Sequence, residues 1–549
     1  MKRSIALLSF AAAALFLLFV SSTPLAQAQP QSLLTPNVPE VVLNGQAPFV
    51  AKLPATQIIR FDIVLPVRDE AALDSFVEEV YNPSSPNYRQ FLTVEQFTQM
   101  FGPSQAHWNA LVRYAKASGF HVTSGSRDAM DLRLTGSVAN VETAFHVNIN
   151  LYHDPAANRD FYAPDRQPTV DLPFQLKHIS GLDNYWVPLN ALARNHGPHR
   201  LAQTGSCPEE SFCGSDMRAA YYGGTSLTGK GQIIGLLEFA GFDIADINTY
   251  YKNAKQKRTA KVKGISVDGT PILCLISQGC DDTEQSLDIT QALGMAPGIG
   301  TLYNYVGSSG TALLSAMSSD KPLPLNLSSS WYRWGNDYSS DDTYFKKMAS
   351  QGQSFFEAAG DNGRWEGTGT WWPMESPYVI CVGGTDLVTK GAGKGWASET
   401  VWSPGGGGIS PDDLPIPSWQ KLKGVITKKN EGSLKYRNGP DLSANSNFTF
   451  YVCADQTTCS ANEYGGTSFA APMFAGYLAL TNEQAAAKGD KPPGFFNLAI
   501  YKLGLGKGYG TAFHDITVGS NGFPAEKGYD LASGWGSPNT DGLINALAP

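Results

Sequence analysis

After residue 199 the chain contains one histidine, His514, although the whole sequence has eight. A serine nucleophile in the C-terminal part therefore has one histidine to choose from, and its neighbours Asp515-Ile516-Thr517 read as an ion loop. Positive charge is also scarce: 41 Lys and Arg stand against 49 Asp and Glu, for a net charge of -8 and a pI near 5.6. With no basic stripe to neutralise phosphates, nucleic acid is excluded as a partner. Beyond the N-terminus no run of 18 uncharged apolar residues occurs, so no later segment spans a membrane. No internal repeat is visible, and Gly504-Leu505-Gly506-Lys507-Gly508 lacks the preceding strand that a nucleotide-binding fingerprint needs. Cysteine is limited to seven residues. Six of them fall as Cys207/Cys213, Cys274/Cys280 and Cys453/Cys459, a spacing without companion histidines that does not suit zinc. In an oxidising compartment they predict three local disulfides. Cys381, within the apolar Tyr378-Val379-Ile380-Cys381-Val382, is expected to be a buried, inert thiol.

The compartment follows from the first residues. Lys2-Arg3, an apolar run from Ile5 to Val20, and Ala26-Gln27-Ala28 have the order of a secretory signal, with cleavage expected after Ala28. A hydrophobic fraction of 42% with 16% charged residues describes a globular chain, and 549 residues exceed one ordinary core, so two domains are expected.

Residues from about 37 to 183 carry the pattern of a small unit. Ile58 to Leu65 alternates as a strand, Ala72 to Tyr81 has helical spacing, and Thr93-Val94-Glu95-Gln96 is a capping box opening a second helix. Trp108, Leu111, Val112 and Ala115 mark the buried face of a third. Strands are expected at Phe120 to Val122, Asp131 to Leu134 and His146 to Tyr152, with a helix over Val138 to Phe145. Together they fit a compact antiparallel α+β unit. Residues 186–206 show no periodicity and read as a linker open to proteolysis. From Cys207 onward apolar strands alternate with helices, among them Ile233 to Leu237, Pro324 to Leu327, Ser354 to Ala359 and Tyr378 to Val382. That order implies a parallel sheet covered on both faces, whose ligands bind at the C-terminal strand ends.

The chemistry centres on Gly465-Gly466-Thr467-Ser468-Phe469-Ala470-Ala471-Pro472, which leads into an apolar run from Met473 to Leu480. Glycines before Ser468 and small residues after it suit a tight turn feeding a helix, and place the hydroxyl at a helix N-terminus where developing negative charge is favoured. The same pattern also suits a serine that merely caps a helix. An esterase elbow is disfavoured because Ala470 stands where its second glycine belongs. Glu284 and Asp288 stand one helical turn apart, on one face of Glu284 to Leu293. If buried they would prefer to share a proton, and if exposed they form a solvated acidic face. Asp361, in Ala358-Ala359-Gly360-Asp361-Asn362-Gly363, directly follows an apolar strand and also fits a turn aspartate.

In combination these segments resemble the sedolisin family, the serine-carboxyl peptidases. Gly465 to Pro472 is similar to that family's nucleophile motif, Glu284-x-x-x-Asp288 to its acid pair, and Ala359-Gly360-Asp361 to its oxyanion aspartate. Ser376-Pro377-Tyr378-Val379, Val382-Gly383-Gly384-Thr385 and Trp402-Ser403 before four glycines are similar too. The N-terminal unit resembles the family's activation domain in Pro83 to Thr93 and in Phe101-Gly102-Pro103-Ser104. The likeness implies an α/β, subtilisin-like doubly wound parallel sheet over 207–549, preceded by a signal at 1–28, a small α+β antiparallel prodomain at 29–185 and a processing linker at 186–206. Ser468 would attack the peptide carbonyl, Glu284 would take and return the serine proton, Asp288 would orient Glu284, and a protonated Asp361 would donate to the oxyanion. The likeness also implies one structural calcium ion, held by Asp515, Ile516, Glu526, Gly528 and Asp530, oxygen ligands in a glycine-containing loop. Glu526 stands where the family usually has glycine. Leu325 to Trp334 departs from the family's Ser-Trp-Gly strand end and borders the expected cleft.

The implied protein is a secreted, monomeric, acid-acting endopeptidase made as a self-processing zymogen, with polypeptide substrates and its own prodomain as inhibitor. A tripeptidyl-peptidase on the same scaffold and an inactive secreted binding protein are the alternatives.

Overall fold

The computed structural model describes residues 30–195, 204–335, 338–368, 371–456 and 458–549. The expected signal and part of the linker, residues 196–203, lie outside the described residues.

The N-terminal unit is antiparallel throughout. One sheet of four strands places Ile58–Val64 between Asp131–Ser137 and His178–Ser180, with His121–Ser126 at the edge. A second, three-stranded sheet joins Phe49–Lys52, Ile149–Asp154 and Arg159–Pro164. The expected capping box exists: Thr93 and Gln96 satisfy each other's backbone at the start of Val94–Met100. The strand expected from His146 begins later, at Ile149, because His146 takes a left-handed conformation (φ 56°) that caps the preceding helix. Ile59, Phe61, Leu111, Leu134, Phe145 and Ile179 form this unit's own core.

The C-terminal part is built on one eight-stranded sheet, with strands β1 (Ile233–Glu238), β2 (Lys261–Ser266), β3 (Thr301–Val306), β4 (Asn326–Ser329), β5 (Ser354–Ala358), β6 (Ile380–Thr389), β7 (Trp396–Val401) and β8 (Leu442–Asn445). Their order is β2-β3-β1-β4-β5-β6-β7, with β8 also pairing β6. All pairs are parallel except β6 with β7. The order reverses on either side of β1, as in doubly wound sheets, and the C-terminal ends of β1, β4 and β5 open at that crevice. The sixth strand starts at Ile380; Tyr378 precedes it. Two helices bear on the site. Helix α1 (Thr283–Met295) and helix α2 (Thr467–Lys488) pack closely on each other, and α2 crosses β4, β5 and β6. Nearly every residue of α1 is buried, so its acidic residues do not face solvent.

The two parts share apolar contacts: Val64, Leu73, Val77, Phe97 and Met130 belong to the same hydrophobic cluster as the large sheet. Arg133 reaches across to the carbonyls of Val267 (3.2 Å) and Ala312 (3.0 Å), and Lys346 pairs with Asp74 (2.6 Å). The segment read as an open linker is ordered where it leaves the N-terminal unit. Leu189–Asn190 pairs antiparallel with Trp331–Tyr332, and Ala193–Arg194 with Tyr464–Gly465. Two-residue strands carry no periodicity, which is why the sequence pattern does not reveal them. All three expected disulfides form, and Cys381 is free and buried.

Candidate active site

Ser468 is the second residue of α2 and is fully buried. The turn that delivers it requires glycine at 466, which has φ +144°. A Cβ there would sit 2.4 Å from the Ala191 carbonyl oxygen and 2.5 Å from Asp361 Oδ2, so both oxygens converge on this bare backbone.

The Ala191 carbonyl is the centre of the arrangement. It accepts hydrogen bonds from the Ser468 backbone N–H, at 3.1 Å, and from the Ser468 hydroxyl. The Ala191 N–H donates to the Ser330 carbonyl at 2.9 Å. Asp361 lies at the end of β5. Its Oδ1 accepts from the Thr467 N–H (2.8 Å) and hydroxyl (2.9 Å), while its Oδ2 is enclosed and has no partner. Burial, opposed by the Thr467 contacts, pushes the Asp361 carboxyl up to about 8. A neutral carboxyl there can donate a proton, and Oδ2 is the free oxygen on the side of the Ala191 carbonyl. A backbone N–H and a carboxylic acid so placed can stabilise an oxyanion.

Glu284 and Asp288 project from α1 into the same buried space. Burial raises both well above the ordinary range, Glu284 further under the influence of Glu238 and Asp361, Asp288 under that of Glu238 and Glu284. The Ser468 hydroxyl is close enough to favour the ionised form of Glu284, yet neither Glu284 oxygen has a hydrogen bond of full geometry, because that hydroxyl is turned to Ala191. Ser330 donates to Asp288 Oδ1 at 2.9 Å. Glu238, the last residue of β1, completes the cluster: its Oε2 accepts from the Trp331 indole N–H at 2.8 Å, it faces Asp288, and burial pushes it up to about 8. Both Glu284 oxygens, Asp288 Oδ2 and Glu238 Oε1 lack donors. Three acceptor-only carboxylates cannot satisfy one another, so the cluster must share protons and titrate as a unit. Such a cluster can pass a proton to and from Ser468.

The four expected catalytic residues therefore meet at one place. Sequence reasoning missed Glu238 and Ala191, and placed Ser330 and Trp331 only within a segment bordering the cleft. An acidic residue closing the apolar run Ile233 to Leu237 was the available signal for Glu238. His514 takes no part in this geometry: it stacks on Trp396, with ring centroids 3.9 Å apart, and burial lowers it to about 4.

The residues expected to hold an ion also gather. Asp515 Oδ1 accepts from the Tyr509 hydroxyl (2.8 Å) and the Gly528 N–H (3.1 Å), and Asp530 Oδ2 from the Glu526 N–H (2.8 Å). Burial raises Asp530 to about 7 despite backbone donors from Glu526, Ser533 and Ala532. Glu526 is not among the positive-φ residues, so its side chain fits the backbone there. Among the described residues no group of three or more His, Cys, Asp or Glu is arranged to hold a metal ion, so an ion here would rest on two carboxylates and backbone oxygens. That donor chemistry suits calcium.

The chain resembles known proteins along most of its length. Residues 46–185 match the model of the pro-kumamolisin activation domain, and residues 308–492 that of the subtilase family. The chain is 29% identical to kumamolisin of a Bacillus species over 92% of its length and 95% of that protein. It is 26% identical to sedolisin of a Pseudomonas species, over 94% and 91%. Identity to tripeptidyl-peptidase 1 of Rattus norvegicus is 25%, over 86% and 89%. The solved structure of Pseudomonas sedolisin, a serine-carboxyl proteinase complexed with pseudo-iodotyrostatin, superposes with a TM-score of 0.52 at 24% identity, covering 63% of this chain and 99% of that one, a likeness of fold. With a match to an activation domain ahead of a match to the subtilase family, and with kumamolisin and sedolisin among its relatives over nearly its whole length, the chain is similar to the sedolisin family of serine-carboxyl peptidases.

Proposed function

We propose that the protein is a secreted endopeptidase that works in acid, made as a zymogen and matured by its own active site. The observation that carries this is the strand lying across Ser468. It approaches through Val187 and Pro188, presents the Ala191 carbonyl to the nucleophile, and continues through Leu192 to Asn195. A tripeptidyl-peptidase must stop its substrate three residues before the cut bond, whereas here the chain runs on past Leu189 without a block.

In this proposal Ser468 attacks the carbonyl carbon and its proton passes to Glu284. Asp288, held by Ser330 and Glu238, keeps Glu284 in place. The Ser468 N–H and the Asp361 acid bind the oxyanion. In the coupled cluster the first ionisation is the easiest, so one shared negative charge serves as the base while the remaining protons stay. High pH removes those protons and the Asp361 donor, so activity is lost on the alkaline side, and admitting water to the opened cleft moves that loss toward acid. Secretion is supported by the Lys2 to Ala28 pattern and the three disulfides. A calcium ion at Asp515, Ile516, Glu526, Gly528 and Asp530 would supply the counter-charge that the buried Asp530 lacks, and would act on stability.

The test is a quenched peptide with an acetylated N-terminus, offered to matured enzyme in acid. Internal cleavage supports the endopeptidase. Cleavage only of the unblocked peptide, three residues at a time, would establish the tripeptidyl mode instead.

A further inference from the structure

The segment in the cleft is held like a substrate, and its register is unambiguous. Leu189 pairs with Tyr332 and Asn190 with Trp331, the Ala191 N–H donates to Ser330, and the Ala191 carbonyl meets the Ser468 N–H and hydroxyl. Beyond the nucleophile, Ala193 pairs with Gly465 and Arg194 with Tyr464, and the Asn195 N–H donates to the Glu463 carbonyl at 2.8 Å. Only one carbonyl carbon is therefore presented to Ser468, that of Ala191.

The side chain of Arg194 provides an anchor for this register. Its guanidinium lies 5.1 Å over the Tyr464 ring and pairs with Glu463 at 3.0 Å. Glu463, Tyr464 and Asp281 all act to hold its charge. Glu463 and Tyr464 immediately precede the turn that carries Ser468, so a cation seated there is fixed relative to the nucleophile.

We propose that the peptide bond between Ala191 and Leu192 is the one cut during maturation, and that the surface formed by Tyr464 and Glu463 selects a basic side chain three residues beyond the cut bond. This rests on the peptidase reading above. In the first half-reaction Ser468 Oγ bonds to the Ala191 carbonyl carbon and its proton moves to Glu284. The C–N bond to Leu192 breaks, and the leaving nitrogen takes that proton as a free amine. Water then gives a proton to Glu284 and its oxygen to the ester, releasing Ala191 as a carboxyl terminus, and the proton returns to Ser468.

Acidified wild-type zymogen, quenched at intervals, should yield as its first fragments one ending at Ala191 and one beginning at Leu192, read by mass. In parallel, matured enzyme is given a peptide spanning residues 186–197 and its Arg194→Gln counterpart. The peptide should be cut between Ala191 and Leu192, and the glutamine version should have a kcat/KM lower by roughly threefold to tenfold, the weight of an exposed ion pair with a cation–π contact. Enzyme carrying Glu463→Gln should show a smaller difference between the two peptides. First fragments ending elsewhere would overturn the assigned bond. Equal rates for the two peptides with wild-type enzyme, or a difference that Glu463→Gln leaves intact, would overturn the basic-residue site. Hydrolysis of denatured casein accompanies these outcomes if the peptidase reading holds. No hydrolysis of casein or peptide at any acid pH would overturn that reading, and this proposal with it.

Discussion

The Trp331 indole N–H points at Glu238 Oε2, 2.8 Å away, and closes the far end of a carboxyl cluster whose near end is Ser468. Trp331 is also the residue that pairs with Asn190 of the cleft strand. The cleft strand and the carboxyl cluster thus meet on one residue, the strand through its backbone and the cluster through its indole. Glu238→Gln keeps the acceptor for the indole but removes an acid from the cluster. It should lower kcat by roughly 10-fold to 100-fold, less than loss of a general base itself, with KM nearly unchanged and the pH profile displaced. A variant with wild-type kcat and pH profile would make Glu238 a packing residue only.

Gly466→Ala should give a zymogen that folds and does not mature. Its added methyl meets two oxygens at under 3 Å and its backbone angle is strained, both within the turn that positions Ser468. Far-UV circular dichroism and gel analysis after acidification test the two halves of this expectation; rapid maturation would show that the turn can relax.

As the proposed oxyanion donor, Asp361 should set an upper limit of activity rather than a lower one. With the cleft filled its carboxyl is raised to about 8, so the donor form is kept through neutrality and lost as pH rises through that value. Removing the linker admits water, weakens the desolvation that raises Asp361, and draws the limit toward acid. Asp361→Asn, a donor at every pH, should be slower at the optimum and lose a smaller fraction of its activity toward neutrality. Parallel pH profiles for the variant and the matured wild type would assign the limit to other groups.

Stability should run against the usual trend. Glu238 and Asp361 are raised to about 8 and Asp62, on the N-terminal unit, to about 7, chiefly by burial. In the unfolded chain all three titrate near pH ~4. The native state therefore holds more protons between those values; its advantage is full below about pH 4 and lost as pH rises through 7 to 8. Zymogen carrying Ser468→Ala, which cannot mature, should melt at a higher temperature at about pH 5 than at about pH 8. The reverse order would mean that these carboxyls are hydrated or paired in solution.

Asp530→Ala should lower the melting temperature of the mature enzyme by several degrees and abolish any effect of chelator upon it, since an ion bound only by the folded state stabilises by mass action. Wild-type protein that melts identically with chelator and with added calcium would remove the ion from the proposal.

How much of this was legible beforehand depended on distance along the chain. The turn at Gly465 to Ser468 and the face shared by Glu284 and Asp288 are local, so spacing indicated both, while their place in a site followed from the resemblance and not from spacing. Glu238 and Trp331 meet 93 positions apart, at the ends of two neighbouring strands, and no periodicity links them. The strand starts at Ile149 and Ile380 were misjudged for a local reason, since a cap at His146 and a turn at Ser376 to Val379 look apolar or neutral in sequence. The linker was the largest omission, because its extended conformation is imposed by the cleft and not by its own residues.

Under the proposed self-cleavage, that occupied cleft sets the kinetics of maturation. The strand across Ser468 is tethered to the N-terminal unit and competes with any second molecule for the same groove, so its own cleavage is a first-order event with no encounter step. The half-time of conversion should stay constant when the zymogen is diluted, and added mature enzyme should not shorten it until the strand has been cut and has left.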